Sequence, residues 1–395
     1  MFGLVSLAAD MVYEGARSLY GPLLAALGAS AVVVGVVTGA GEAMALVLRL
    51  VFGPLADRTG RYWGLTIAGY ALTIVSVPLL AVTPYVGGAG LALAVLLILA
   101  ERSGKAIRSP SKSALLAHVA GAVGRGRGFG VHKAMDQTGA FAGPLLVAAV
   151  VALAGALWAG LAVLAVPGAL ALVILLWMRA RVPDPAVYDG SRPDAGGPDA
   201  AAETGGWFAA ARGAGLPSEF FAYAVAASLM TGGLVTFGII SYHLTVQKLV
   251  PVATVPVIYA GAMLAEALAA LVVGWLYDRV SVKVLYAVPL LVALVPGLAL
   301  SGSLGIVLAG VGVWGFAFGL QDSTIKALVA DLVEAPRRAT AYGVFAAIQG
   351  VAAIAGGALA GWLYETSLPA LVVVIGATQV LALLLLVRTL SRRPG

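Results

Sequence analysis

Apolar segments long enough to cross a bilayer recur along the whole chain, and short polar loops separate them. A helix needs about 20 apolar residues to cross the hydrocarbon core of a bilayer. A chain of 395 residues therefore has room for about twelve crossings. We predict transmembrane spans at residues 2–27, 31–53, 63–83, 89–117, 129–153, 156–178, 218–244, 254–276, 284–301, 305–330, 340–363 and 367–388.

The composition excludes a soluble protein. Hydrophobic residues make up 61% of the chain and charged residues 11%, whereas a soluble protein needs roughly a quarter of its residues charged to cover its surface. Most of the surface must therefore face lipid. The prediction is an all-α polytopic membrane protein of about twelve transmembrane helices. The chain has no cysteine and no G-x-x-x-x-G-K-[ST] motif, so we expect no thiolate metal site, no ATP as energy source and no cofactor.

The distribution of basic residues indicates how the chain is oriented in the membrane. Lys and Arg lie mainly in alternate loops, and when both termini are placed in the cytoplasm the opposite side contains only Lys248. The net charge of +6 therefore reflects membrane topology, and nucleic-acid binding is not expected. We predict a multi-pass protein of the inner (cytoplasmic) membrane, with both termini cytoplasmic.

One long polar segment divides the spans six and six. Residues 182–206 are rich in Pro, Gly, Ala and Asp and contain little that would pack, as is typical of a flexible linker. We predict an N-terminal six-helix bundle at 1–181, a cytoplasmic linker at 182–217 and a C-terminal six-helix bundle at 218–395.

Two sequence stretches recur in the two halves. Residues 53–61 (GPLADRTGR) match residues 274–283 (GWLYDRVSVK), and residues 113–131 align without gaps on residues 326–344. Two separate matches in the same order, on either side of a central linker, indicate an internal duplication.

These stretches carry a resemblance to a known family. GPLADRTGR is similar to the loop signature G-x-L-a-D-r-x-G-r of the major facilitator superfamily (MFS), and its second copy lies where that family has a weaker one. The resemblance covers essentially the whole chain. It implies the MFS fold, with two pseudo-symmetric six-helix bundles, and a secondary transporter that works by alternating access.

The resemblance also implies a gating loop between the second and third spans. In the family the aspartate that corresponds to Asp57 is held against the eleventh helix and helps to close the cytoplasmic side. The alternative is that Asp57 and Arg58 only anchor a short turn at the membrane surface. The residues assigned to this gating loop and its second copy are Gly53, Asp57, Arg58, Gly60, Arg61, Asp278 and Arg279.

Charged residues inside the predicted spans are the candidates for function, because a charge at mid-membrane costs at least ~2.5–3.5 kcal/mol. On the first span they follow the spacing i, i+4, i+7, which places them on one helical face. They cluster on the first, fourth and tenth spans, and in the family the first, fourth, seventh and tenth helices line the central cavity. The candidates for proton coupling and the central cavity are Asp10, Glu14, Arg17, Glu101, Arg102, Lys105, Arg108, Glu266, Asp322 and Lys326.

These charges permit several interpretations. Asp10 or Glu14 acts as a proton-coupling carboxylate, or the charges form a fixed ion-pair network between helices. Lys105 and Arg108 are also suited to binding an anionic substrate.

The leading prediction is proton-coupled transport of a small organic solute, with efflux by antiport favoured. Gly139, Gly143 and Pro144 loosely resemble the family's antiporter motif. The alternatives are uptake or exchange of an organic anion at Lys105 and Arg108, and a non-transporting receptor or scaffold. An enzyme is not expected, because no nucleophile–base pair or carboxylate metal cluster has convincing spacing. The expected partners are a small-molecule substrate, protons and the lipid bilayer, and the chain is expected to be a monomer.

Overall fold

A computed structural model of the chain describes residues 1–121, 125–183, 216–334 and 337–391, without the side chains of a few residues inside helices. All regular secondary structure in these ranges is helical. Before the predicted linker the helices are α1 (Phe2–Ala26), α2 (Ala31–Thr59), α3 (Tyr62–Leu79), α4 (Gly90–Gly121), α5 (Arg125–Ala154), α6 (Leu157–Ala162) and α7 (Ala165–Arg181).

The helices after the predicted linker follow the same pattern of long apolar segments. They are α8 (Ser218–Gly233), α9 (Phe237–Val246), α10 (Val255–Val280), α11 (Ala287–Ala299), α12 (Leu304–Leu332), α13 (Arg338–Thr366) and α14 (Leu368–Ser391). Each of the twelve predicted spans coincides with one of these helices or with two consecutive ones. The prediction of an all-α membrane protein of about twelve spans is therefore confirmed.

Hydropathy alone identifies fewer spans. Among the described residues, ten segments are long and apolar enough to cross a membrane, and neither α1 nor α4 is among them. The reason is their charge: α1 contains Asp10, Glu14 and Arg17, and α4 contains five charged residues between Glu101 and Lys112. The two helices that hydropathy misses are those whose charged side chains meet inside the protein.

The predicted span 218–244 is not one continuous helix. It consists of α8 and α9, and residues 234–236 between them are extended, with φ −75° and ψ 100° at Leu234 and φ −66° and ψ 149° at Thr236. The Gly232–Gly233 pair weakens the helix at this point, since each glycine costs about 1 kcal/mol relative to alanine. Hydrophobicity is continuous across residues 234–236, so the glycine pair is the signal of the break that the sequence pattern offers.

The described residues form two compact units. Unit 1 comprises those in Met1–Ala29, Met44–Gly196 and Val250–Ala260, and unit 2 those in Ser30–Ala43, Gly197–Leu249 and Gly261–Gly395. These units differ from the predicted bundles in residues 30–43 and 250–260, and the division at 181 and 218 stays a prediction. Most of the predicted linker, 182–217, lies outside the described residues.

Glycines bring α1 and α5 into close contact in unit 1. A Cβ atom added at Gly139 would overlap the backbone oxygen of Leu7, and one added at Gly143 would overlap that of Met11. Small residues of this kind let membrane helices approach closely. The packing holds the charged face of α1 at a fixed distance from α5.

Replacing Gly143 by alanine is expected to destabilise the protein by about 1–3 kcal/mol, because the added methyl group must displace the backbone of α1. Thermal unfolding in detergent measures this as a lower midpoint. The control is Gly130→Ala on the same helix, where an added Cβ meets nothing within 4 Å. An equal loss of stability in both variants would show that close packing at Gly143 is not the cause.

Candidate functional site

The phenol of Tyr13 lies at the centre of the charged cluster in unit 1. Arg102 of α4 donates a short hydrogen bond to the Tyr13 hydroxyl, and Arg17 Nη1 donates a second one of 3.5 Å. The ammonium of Lys105 lies 3.6 Å from the centroid of the Tyr13 ring, within the range of a cation–π interaction. One buried aromatic side chain of α1 therefore contacts three cations.

Glu101 and Arg102 form a buried ion pair beside this tyrosine. Arg102 Nε lies 3.4 Å from Glu101 Oε2, and the Tyr20 hydroxyl donates a 3.2 Å hydrogen bond to the same oxygen. Glu101 is 0% exposed and Arg102 2%. Within the described part of the chain, Glu101 Oε1 has no hydrogen-bond partner. The carboxylate is thus held at one oxygen only.

Glu14 is bound to its own helix and to the start of α10. Its Oε2 lies 3.8 Å from Arg17 Nη1, one helical turn away, and it accepts a short hydrogen bond from the hydroxyl of Tyr259. Tyr259 belongs to the segment of α10 that is part of unit 1. Glu14 therefore has a cationic and a neutral partner, and neither of them is on α4.

Asp10 differs from the other two acids of the cluster. It is half-buried and interacts electrostatically with the carboxylate of Asp136 and with the cations Lys112, Arg108 and Lys105. Among the described residues it forms no ion pair within 4 Å and no hydrogen bond. Its negative charge is therefore offset at a distance by the three cations and opposed by Asp136.

A chain of hydrogen bonds through Ser6, one helical turn before Asp10 on α1, joins α4, α1 and α5. Lys112 Nζ donates to Ser6 Oγ over 3.1 Å, Ser6 Oγ lies 3.3 Å from His132 Nε2, and that nitrogen is 3.7 Å from Asp136 Oδ1. His132 is therefore hydrogen-bonded to Ser6, whereas Asp136 Oδ1 is buried and has no hydrogen-bond partner among the described residues. The described residues contain no group of three or more metal-ligating side chains.

Arg108 is a buried cation with no acid within 4 Å among the described residues. It is 4% exposed, donates a 2.8 Å hydrogen bond to Thr73 Oγ1, and stacks on the ring of Tyr70 at 4.6 Å. In the ranges that the structure describes, neither Arg108 nor Lys105 forms an ion pair. Two cations one turn apart on α4 are therefore neutralised only by longer-range interactions.

The remaining predicted cavity residues lie on α10 and α12. Glu266 is half-buried where α10 approaches α12, since a Cβ added at Gly319 would lie 2.6 Å from the Glu266 backbone oxygen. Asp322 is exposed, and both acids have interaction partners. The side chain of Lys326 lies outside the described part of the structure.

The loop between α2 and α3 has the geometry expected of a sharp turn. Gly60 has φ +62°, a conformation that favours glycine, and the Tyr62 hydroxyl donates a 3.2 Å hydrogen bond to Asp57 Oδ1. Gly53 makes only an ordinary contact with Pro110. Asp57, Arg58 and Arg61 are exposed. The role of this loop in gating stays a prediction.

In the second copy of the loop, the structure describes the side chain of Arg279. The guanidinium of Arg279 stacks on Trp275 at 3.8 Å. The side chain of Asp278 lies outside the described part of the structure.

Replacing Asp57 by asparagine is expected to lower the maximal transport rate by about tenfold, or ~1.4 kcal/mol, with little change in solute affinity, if Asp57 is a gate. Tyr62→Phe is the matched control, because it removes the hydrogen bond to Asp57 but keeps the carboxylate. If both variants reduce transport equally, Asp57 only anchors the turn.

The aromatic partners of the charges were not predicted. Tyr13, Tyr20 and Tyr259 each donate or accept a hydrogen bond with a charged side chain of the cluster, and Tyr70 stacks on Arg108. A signal existed on α1, where Tyr13, Arg17 and Tyr20 have the spacing i, i+4, i+7 and therefore share a face. The sequence offers no comparable signal for Tyr70 or Tyr259.

Comparison with known proteins identifies the class. The family model described as Major Facilitator Superfamily matches residues 2–265 and 220–395. The chain belongs to the major facilitator superfamily, and it is a secondary transporter, not an enzyme.

Two mycobacterial proteins are close in sequence. Uncharacterized protein Mb2288 of Mycobacterium bovis is 49% identical over 387 residues, which cover 98% of this chain and 91% of that protein. Uncharacterized protein MT2327 of Mycobacterium tuberculosis matches with the same identity and coverage.

Solved transporters share the fold at low sequence identity. The nucleoside transporter NupG has a TM-score of 0.72 and 15% identity, with 99% of this chain and 98% of NupG covered. A POT family transporter in complex with 5-aminolevulinic acid has a TM-score of 0.76 and 13% identity, with 99% and 95% covered.

Proposed function

We propose that this transporter moves a small organic solute across the inner membrane by alternating access, in exchange for protons, and that export is the favoured direction. The observation that carries the proposal is the position of Asp10, a carboxylate on α1 that lies among charges of both signs and forms no short ion pair with any described residue. A carboxylate in this situation binds or releases a proton when the neighbouring charges move.

The contacts of the other acids support assigning proton coupling to Asp10. Glu101 is paired with Arg102, and Glu14 with Arg17 and Tyr259. A closed ion pair in a membrane balances both charges. In our proposal Asp10 exchanges the proton, and these pairs hold α1 against its neighbours.

The proposed direction rests on residues of α5. Gly139, Gly143 and Pro144 loosely resemble the antiporter motif of the family, which favours export. The same glycines pack α5 on α1, so they also have a structural role. Both termini in the cytoplasm and a monomeric chain are further parts of the proposal.

Uptake or exchange of an organic anion is a second candidate, and the contacts of Arg108 favour it. Among the described residues Arg108 has no carboxylate within ion-pair distance, and Lys105, one turn away, lies over a tyrosine ring. Two such cations are suited to bind a carboxylate or phosphate. The two candidates differ in the charge of the solute that they require.

Purified protein in liposomes tests both candidates. Proton movement is followed with a pH-sensitive dye while cationic, neutral and anionic organic solutes are added in turn. Proton movement that depends on a solute supports coupled transport, and the charge of the active solutes distinguishes export of a neutral or cationic compound from anion transport. If anions are the active solutes, Arg108→Ala should abolish their transport. Solute movement without proton movement would contradict proton coupling.

A further inference from the structure

The break between α8 and α9 places non-helical backbone inside a membrane span. Residues 234–236 begin about 24 Å along the helix axis from Ser218 and lie about 15 Å from Val246, the ends of this apolar span. Unpaired backbone groups are tolerated at membrane depth only where protein buries them or where they line a water-filled cavity. Interrupted helices of this kind are found at substrate sites in membrane transporters.

Three other helices of unit 2 hold the break from different sides. Trp314 Nε1 of α12 donates a 2.7 Å hydrogen bond to the backbone oxygen of Val235. Gly356 of α13 has no room for a Cβ, because one would overlap the backbone oxygen of Gly232. Gln379 of α14 donates a 2.9 Å hydrogen bond to the oxygen of Leu229. The break is therefore built into the packing of unit 2.

An uncharged polar cluster lies directly beside the break. Thr231 Oγ1 accepts hydrogen bonds from Gln321 Nε2 at 2.8 Å and from Gln349 Nε2 at 3.0 Å, and it donates one of 3.0 Å to the oxygen of Ala227. A hydroxyl has one donor and two acceptor sites, so all three hydrogen-bonding sites of the Thr231 hydroxyl are occupied. Residues from three helices meet at this one atom.

The side-chain amide of Gln321 has hydrogen-bonding capacity that the described residues leave unfilled. Its Oε1 is buried and has no hydrogen-bond partner among the described residues, and the nitrogen carries a second N–H besides the one given to Thr231. A buried amide oxygen without a donor costs about 1–3 kcal/mol. A ligand that donates to this oxygen would remove that cost.

Two aromatic side chains lie on the same face of α12 as Gln321. Trp314, Phe318 and Gln321 have the spacing i, i+4, i+7, and the first two rings stack with centroids 5.3 Å apart and planes at 6°. Trp314 is buried against Phe237, so the part-buried ring of Phe318 is the apolar surface next to the unsatisfied amide. None of Thr231, Gln321 and Gln349 is charged, in contrast to the cluster on α1 and α4.

We propose that the α8–α9 break, the Thr231–Gln321–Gln349 cluster and the aromatic face of α12 form a substrate subsite for an uncharged planar group that donates and accepts hydrogen bonds, such as an amide or an amide-like heterocycle. Gln321 supplies the acceptor and donor for the edge of this group, and Phe318 supplies apolar surface for its face. The proposal rests on the transport function proposed above and adds the chemical class of part of the substrate.

Cysteine labelling tests whether the subsite is open to water. The chain contains no cysteine, so each single variant carries one thiol. Thr231→Cys, at a half-buried position, is expected to react with the small cationic methanethiosulfonate reagent MTSET. The control, Gln379→Cys, lies in a position that is 2% exposed between α14 and α8. Close packing there should make its labelling at least about tenfold slower. Equal or slower labelling at Thr231→Cys would overturn the proposal.

Protection by small probes tests the chemistry of the subsite. Benzamide is expected to slow labelling of Thr231→Cys, whereas benzoate, which has the same shape and a charge, is not. Adding Gln321→Leu should raise the benzamide concentration needed by about tenfold, since a hydrogen bond is lost. Equal protection by both probes, or no effect of Gln321→Leu, would contradict an uncharged amide-binding subsite. Neither measurement involves protons, so these results are independent of proton coupling.

Discussion

Replacing Arg102 by alanine is expected to lower the free energy of unfolding by about 3–5 kcal/mol, among the largest effects of any single substitution in this protein. The substitution leaves Glu101 as a buried charge without its cation, since Arg102 Nε is the cationic group 3.4 Å from its carboxylate. It also removes a hydrogen bond and a cation–π contact at Tyr13. Unfolding by SDS in mixed micelles measures the change.

A double variant separates the charge effect from loss of packing. Glu101→Leu combined with Arg102→Met replaces the pair by apolar side chains of similar size, and such replacements are often neutral or stabilising. We therefore expect the double variant to recover most of the stability lost in Arg102→Ala. If the double variant is as unstable as the single one, the ion pair itself does not explain the loss.

Replacing Asp10 by asparagine is expected to abolish proton movement driven by solute while the protein remains folded. Asparagine has nearly the same shape as aspartate but does not take up a proton, and Asp10 forms no ion pair that the change would break among the described residues. Exchange of labelled solute for unlabelled solute across the liposome membrane is expected to continue, because it needs no net proton transfer. The pH-sensitive dye and labelled solute measure the two processes in the same preparation.

Two further variants serve as controls for Asp10. Asp10→Glu keeps a titratable carboxylate and should retain part of the coupled transport. Glu14→Gln removes an acid that is already bound to Arg17 and Tyr259, and we expect it to affect stability more than coupling. Loss of coupling in Glu14→Gln with coupling intact in Asp10→Asn would assign the proton to Glu14.

The helical architecture could be predicted because lipid imposes a length and a composition on every span. Where a span carries charges, the helical period of 3.6 residues shows that they share a face, as for Asp10, Glu14 and Arg17. The Gly232–Gly233 pair weakens the helix locally, but the break at residues 234–236 also depends on Trp314, Gly356 and Gln379, which reach it from distant parts of the chain and which local sequence does not bring together.

The site could be predicted in part. Spacing selected the charged residues of α1 and α4, but it did not show which charges form pairs. Asp10 interacts electrostatically with Lys105, Arg108 and Lys112 of α4, whereas Glu14 is bound to Arg17 on α1 and to Tyr259. Pairing depends on helix rotation and side-chain rotamers to within about 1 Å, and hydrophobic periodicity does not define these.

The most direct test of proton coupling is the solute gradient that balances a known pH gradient. Liposomes with a difference of one pH unit across the membrane are loaded with different solute ratios, and the ratio at which net flux stops is recorded with the membrane potential clamped at zero. One pH unit corresponds to about 1.4 kcal/mol, so coupled exchange should stop at about a tenfold solute ratio for each proton exchanged. In Asp10→Asn the pH gradient should not shift this balance ratio. Net flux that stops at equal solute concentrations on both sides, whatever the pH gradient, would contradict proton coupling.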